Sequence, residues 1–238
     1  MAEAGEPNLC KFLSRCGAAS RRGALELIRA GRVSVNGAVE VDPAHRVADG
    51  EVVALDGREL AAPERFHYVM LNKPRGYVCS NADVHAEKLA VDLLRGSYPG
   101  FLRSAGRLDK ESEGLIVFSD DGDYLERVSH PRHMVSKRYL VTVGRKLADA
   151  DLKRMVAGIP DGGELLRVLA VESLGDNRYM FKLNEGKKRE IRRLCLACGA
   201  PVLTLKRISL GGLELGALKS GEHRELSPDE VERSLLPG

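Results

Sequence analysis

Residues 165–184, LLRVLAVESLGDNRYMFKLN, decide the architecture. Two strand-like runs, Leu165–Ser173 and Arg178–Asn184, flank Gly175, Asp176 and Asn177. Gly reaches positive φ without a Cβ clash, and Asp and Asn bond locally to the backbone, so the chain reverses here. So short a link joins antiparallel neighbours, because a parallel pair needs a crossover of about a dozen residues or more. Outward from this hairpin, strands are expected at Tyr68–Leu71, Tyr77–Ser80, Leu115–Phe118, Arg138–Val143, Val202–Ile208 and Leu213–Leu215. Helices are expected near Gly122–Ser129, Ala148–Ala157 and Lys187–Ala197. Ser227-Pro228-Asp229-Glu230 opens a last helix as a capping box with Pro at its first position. The β and α patterns alternate without the regular spacing of a doubly wound fold. The expectation is therefore an α+β fold: a mainly antiparallel mixed sheet with flanking helices.

A smaller unit precedes it. Leu9, Phe12, Leu13 and Cys16 fall on one helical face, and Gly17 ends that helix. Ser20 caps a second helix through Leu25, Leu27 and Ile28, which stops at Gly31. In RVSVNGAVEV, valines 33 and 35, then 39 and 41, alternate around Asn36-Gly37, a strong hairpin signal. A further strand is expected around Glu51–Leu55, and AAPER reads as a linker.

The 238 residues are 43% hydrophobic, which suits a globular chain. No apolar run reaches the roughly 18 residues of a membrane span, and MAEAGEPNLC lacks the basic-then-apolar pattern of a signal peptide, so a cytoplasmic protein without membrane partners is expected. Five cysteines, an odd number, fit reduced thiols. Cys195 and Cys198 form one CxxC without a second pair, so helix packing is favoured over a metal or redox use. The net charge is only +3, but cations cluster. Lys11, Arg15, Arg21, Arg22, Arg29 and Arg32 face only Glu26 in their segment. Lys182, Lys187, Lys188, Arg189, Arg192, Arg193, Lys206 and Arg207 outnumber Glu185 and Glu190. The clusters read either as two phosphate-binding surfaces or as two solvated helix faces.

No phosphate loop, GxGxxG or GxSxG elbow is present, and the six histidines lack metal spacing. What stands out is SAGRLDKESEGLIVF (104–118), where charges crowd a turn before an apolar strand. Asp109 is either a turn residue bonded to its own backbone or a carboxylate kept ionised by a nearby Arg, ready as nucleophile or base.

Taken together, the motifs carry a family resemblance. The segment LCKFLSRCGAASRRGALELIRAGRVSVNGAVE resembles the small RNA-binding domain shared with the fourth small-subunit ribosomal protein. LNKPRGYVCS (71–80), GRLDKESEGLIVFSDDGD (106–123), KRYLVTV (137–143) and EGKKREIRRLCLACGAPVLTLKRI (185–208) resemble the Rsu-type ribosomal RNA pseudouridine synthases, in the family's order. The resemblance implies a tail at 1–7, an RNA-binding domain at 8–60, a linker at 61–66 and a catalytic domain at 67–238 with the pseudouridine synthase fold. It implies isomerisation of a uridine in ribosomal RNA, with no cofactor and no metal, by a monomer. KRYLVTV, MVAGIP and LGALKSGEHREL look most like the members acting on large-subunit rRNA.

By position, Asp109 matches the family's essential aspartate, Tyr139 the active-site tyrosine on the uracil, and Arg192 the basic residue paired with the aspartate. Arg193 is the alternative partner. Leu205 matches an apolar wall of the uracil pocket. Arg107 would fill the place left by a flipped base or hold the flanking phosphate. Lys73, Arg75, Lys188, Arg189 and Arg193 are expected to contact RNA, as are Lys11, Arg15, Arg21, Arg22, Arg29 and Arg32 of the first domain. The alternative function is a noncatalytic RNA-binding or ribosome-assembly protein of the same fold.

Overall fold

The computed structural model describes residues 6–63, 65–80, 88–98 and 101–236. Most of the expected tail (residues 1–5) and residue 64 of the expected linker lie outside the described residues. The chain forms two compact units, Met1–Phe66 with Asp120–Gly122, and His67–Ser119 with Asp123–Gly238.

The first unit contains α1 (Leu9–Arg15), α2 (Arg21–Arg29), β1 (Val33–Val35), β2 (Ala38–Val39), β3 (Val53–Leu55) and β4 (Arg58–Leu60). The strands form an antiparallel sheet in the order β2-β1-β3-β4. Side chains of Asn8 and Ser20 accept the Lys11 and Gly23 N–H groups, satisfying amides that the helices leave unpaired. Leu9, Leu13, Ala24, Ile28, Val33 and Val53 fill the core. Asn36 and Gly37 turn at φ 51° and 82°, as the hairpin requires. The strand after the turn is shorter than its valines suggest: Val39 and Val41 are 66% and 56% exposed, because β2 is an edge strand facing away from this core. The strand β4 was not anticipated; Asp56-Gly57 makes a second turn with both residues at positive φ.

In the second unit, β5 (Tyr68–Lys73), β6 (Arg103–Ser104) and β7 (Glu113–Ser119) lead to α3 (Gly122–Ser129). Then follow β8 (Lys137–Val143), α4 (Asp149–Ala157), β9 (Ile159–Asp161), β10 (Glu164–Leu166), β11 (Ala170–Ser173) and β12 (Arg178–Leu183). The chain ends with α5 (Glu190–Ala197), β13 (Val202–Leu210), β14 (Leu213–Glu214), β15 (His223–Glu225) and α6 (Pro228–Ser234). The large sheet runs β11-β12-β8-β13-β7-β5-β15, with β14 beside β13 and β6 beside β7. Among the described residues, its one parallel pairing is β13 with β7; the rest are antiparallel. The fold is α+β. Central strands are buried on both faces, so Val69 and Leu71 pack into one cluster with Met155, Ile191 and Leu194, while Met70 and Leu115 pack into another with Tyr124 and Val128. Among the described residues no helix is long and apolar enough to cross a membrane.

Three expectations need correction. Residues 77–80 are not a strand and, among the described residues, make one bridge, Val78 to Leu89. Their backbone is taken up elsewhere: the Tyr77 carbonyl accepts the Lys73 ammonium, and the Val78 N–H donates to the Lys88 carbonyl. The run 165–173 is two strands. β10 pairs with β9 in a separate hairpin, and Val168, 2% exposed, turns inward to bond the Met155 carbonyl. Helix α5 begins at Glu190, after Arg189 in a left-handed conformation (φ 53°) that a continuing helix excludes.

Candidate active site

A cleft of about 740 Å³ opens in the second unit. Its lining comes from residues 78–80, the turn 106–112, Tyr139, Leu205 and residues 183–192. The turn is held by its neighbours on both flanks. The Ser112 N–H closes it onto the Asp109 carbonyl at 2.9 Å, and the Gly76 N–H donates to the Lys110 carbonyl at 2.7 Å. Arg75 reaches Glu111 through two nitrogens, at 2.6 and 2.8 Å. Leu108 is buried in the core, and its N–H donates to Cys79 Sγ at 3.4 Å. Anchoring Leu108 inward leaves the Asp109 side chain 38% exposed on the cleft.

Arg192 comes from α5 and approaches this turn. Its Nη2 donates to the Glu111 carbonyl at 3.0 Å and the Ser112 hydroxyl at 3.3 Å, while Nε lies 4.0 Å from Asp109 Oδ2. Burial, then the neighbouring Arg189, pulls the guanidinium pKa down; Asp109 and Glu111 oppose them. The Nε atom is buried without a hydrogen-bond acceptor, so its attraction to Asp109 is an ion-pair contact rather than a formed bond. Opposite the charges the cleft is apolar. Tyr139 on β8 and Leu205 on β13 are 9% and 6% exposed, lie in the same core cluster and line the cleft. The arrangement joins a partly exposed carboxylate, a nearby, largely buried cation and an apolar wall.

The structure thus brings Asp109, Tyr139, Arg192 and Leu205 around one cleft, with Arg107, Lys188 and Arg189 also on its lining. Arg107, Lys188 and Arg189 are exposed. Other cations expected at RNA are elsewhere engaged. Lys73 is fully buried and donates to the carbonyls of Pro74 and Tyr77 at 2.9 and 2.8 Å, so it staples the loop from within rather than lying on the surface. Arg193 bonds the Asp161 carboxylate, and Glu164 at 2.6 Å, bracing the β9–β10 hairpin against α5, so its guanidinium is taken up there and is not the partner of Asp109. Arg207 is buried, donating from Nε to the Leu115 carbonyl at 2.6 Å, and does not belong to a basic surface. Arg75 is exposed but paired with Glu111. In the first unit, Arg21, Arg22 and Arg29 are exposed along α2, Lys11 and Arg15 are half-buried on α1, and Arg32 is paired with Asp56.

Sequence reasoning missed Lys110, Cys79 and Glu190 on the lining. Lys110 was legible as the residue after Asp109; the other two carry no local signal, because only the fold turns them toward the cleft. Cys195 and Cys198 are buried, and burial pushes the Cys195 thiol up to about 12, as suits a packing residue. Among the described residues no cluster of His, Cys, Asp and Glu could hold a metal ion.

Residues 67–197 match the model of the RNA pseudouridylate synthase family, and residues 9–53 match the S4 domain. An uncharacterized RNA pseudouridine synthase of Aquifex aeolicus is 36% identical over 225 residues, 94% of this chain and 94% of the relative. One of Mycobacterium leprae is 38% identical over 235 residues, 96% of this chain and 92% of the relative. The ribosomal small subunit pseudouridine synthase A of Escherichia coli is 35% identical over 182 residues, 75% of this chain and 78% of the relative. A crystal structure of a pseudouridylate synthase superposes with a TM-score of 0.70 at 29% identity, covering 95% of this chain and 99% of that one. With the family model spanning over half of its length and relatives matching nearly all of it, the chain belongs to the RNA pseudouridine synthases, isomerases that modify RNA.

Proposed function

We propose that the protein isomerises a uridine of large-subunit ribosomal RNA to pseudouridine, with Asp109 as the catalytic carboxylate. The observation that carries this reading is Asp109 on the cleft lining, 4.0 Å from the Arg192 guanidinium and facing the same cavity as Tyr139 and Leu205. In the reaction the bond from N1 of uracil to the ribose breaks, the ring turns, and C5 joins the same ribose carbon. C5 gives up a proton and N1 takes one, so nothing is gained or lost overall. Asp109 acts at the sugar, Tyr139 and Leu205 hold the turning ring, and Arg192 sets a positive charge 4.0 Å from the carboxylate. The uridine leaves its stack to reach the cleft, at a cost of roughly a few kcal/mol, and Arg107, exposed on the cleft lining, is the side chain that would fill the vacated place or hold the flanking phosphate. Arg21, Arg22 and Arg29 of the first unit supply charge for RNA phosphates.

The Escherichia coli relative is named a small-subunit enzyme, which supports small-subunit rRNA as the second reading. One experiment tests both. Pseudouridines are mapped by carbodiimide-blocked primer extension across both rRNAs of a deletion strain, complemented with wild type or Asp109→Asn. The expected outcome is one missing large-subunit site that wild type restores and Asp109→Asn does not. A missing small-subunit site selects the second reading. Restoration by Asp109→Asn removes Asp109 from the chemistry.

A further inference from the structure

Glu190 opens α5 and is only 4% exposed although it borders the cleft. A buried carboxylate without an ion pair is unfavourable. Burial pushes its carboxyl pKa up, the bond from the Lys187 N–H opposes this, and Glu185 pushes it further up. Oε2 accepts the Lys187 N–H at 3.0 Å, while Oε1 is buried with no donor in full hydrogen-bonding geometry, although the Arg167 N–H comes near enough to the carboxylate to oppose the upward shift. The Glu190 N–H donates back to the Lys187 carbonyl at 3.2 Å. These reciprocal bonds close a ring around Lys188 and Arg189, both exposed on the cleft. Arg189 sits in that ring at φ 53°, ψ 32°, a conformation that L residues avoid because Cβ crowds the carbonyl. It persists only where its surroundings over-determine it. Lys187 adds a second tie, from Nζ to the Leu165 carbonyl at 2.7 Å. Arg192 is different: its own bonds to Glu111 and Ser112 fix it without Glu190.

We propose that Glu190 is a positioning residue for substrate binding: its side chain holds the 187–189 bend so that Lys188 and Arg189 face the phosphates beside the target uridine. This rests on the reading that Lys188 and Arg189 contact RNA. It acts on affinity and leaves the chemical step to Asp109 and Arg192.

The test uses the full chain with transcribed large- and small-subunit rRNA, measuring filter binding over a salt series and single-turnover pseudouridine formation. Glu190→Ala weakens binding at least fivefold and flattens the slope of log K against log salt by about one to two, the share of two phosphate contacts. The rate at saturating RNA stays within twofold of wild type. Glu190→Gln restores affinity and slope, because its amide oxygen still accepts the Lys187 N–H. Melting curves accompany each variant; if Glu190→Ala does not fold, Glu190→Asp, one methylene short of Lys187, takes its place. The double variant Lys188→Ala, Arg189→Ala must itself weaken binding and flatten the slope, or the contact reading fails. If it does so while Glu190→Ala keeps wild-type affinity, loses rate instead, or is not rescued by Glu190→Gln, the positioning role is overturned.

Discussion

Gly114 sits where the turn carrying Asp109 enters β7, and the sheet leaves no room there for a side chain. A Cβ on Gly114 would lie 2.7 Å from the Arg207 nitrogen and closer still to the Arg207 oxygen, a separation that real Cβ atoms do not adopt. The obstacle is backbone, so no rotamer change relieves it. Gly114 pairs with Arg207 in the parallel joint between β7 and β13, which connects β11-β12-β8-β13 to β7-β5-β15. Its φ is 103°. For Gly114→Ala the positive φ costs about 1–2 kcal/mol. Forcing the strands apart adds roughly 1–3 kcal/mol. The sum, about 2–5 kcal/mol, is a large part of the roughly 5–15 kcal/mol that holds a domain folded. It corresponds to a fall in Tm of about 10 °C for a unit of this size. Gly76→Ala is the control: its φ is 91° and nothing lies within 4 Å of the added Cβ, so it carries the conformational cost alone. Urea denaturation followed by circular dichroism measures both. The reasoning fails if Gly114→Ala is no more destabilising than Gly76→Ala. In the folded fraction, Gly114→Ala also slows pseudouridine formation, because the Asp109 turn moves with β7.

Glu230 is held at a pKa of about 2, first by its paired bonds from Arg224, against an ordinary value of 4.5. Its folded pKa lies below the unfolded one, so its contribution is full above about pH 4.5 and fades as pH falls toward 2. Glu230→Gln lowers stability at pH 7 by about 1–2 kcal/mol, discounting for solvent around Arg224. Thermal melts across pH should show the gap to wild type closing in acid; a constant gap refutes the linkage. Lys73→Met leaves the Pro74 and Tyr77 carbonyls without their ammonium donor and destabilises by about 2–4 kcal/mol, read by denaturation. The folded variant binds RNA within twofold of wild type, and a tenfold loss of affinity without loss of stability would restore Lys73 to the RNA surface.

Local order was legible to the extent that it is encoded locally. Ser20 and the Ser227–Glu230 box marked helix starts because their side chains bond amides two or three residues on. Gly175, Asp176 and Asn177, all at positive φ, marked the β11–β12 reversal because residues of these types tolerate that conformation. The candidate site was legible through its motifs: Asp109, Tyr139, Arg192 and Leu205 each lie in one of them, and the fold brings all four to one cleft. The short strands β6, β9 and β15 escaped, since two or three residues show no period and pair only through distant partners.

The fate of each cation lay beyond such reading. Lys73, Arg193 and Arg207 look like Lys188 and Arg189 in the chain, yet the first three end on carbonyls or carboxylates brought to them by folding. Residues 71–80 read as a strand and a basic loop; in the fold they back the Asp109 turn through Gly76, Arg75 and Cys79. Chain-local chemistry settled the helices and the hairpin, because periodicity and capping act over a few neighbours. Tertiary packing settled which charges face solvent, which strand approaches too closely for a side chain, and why a buried Glu190 stands behind two exposed cations. Burial and pairing depend on groups far apart in sequence, and only the folded chain brings them within about 4 Å.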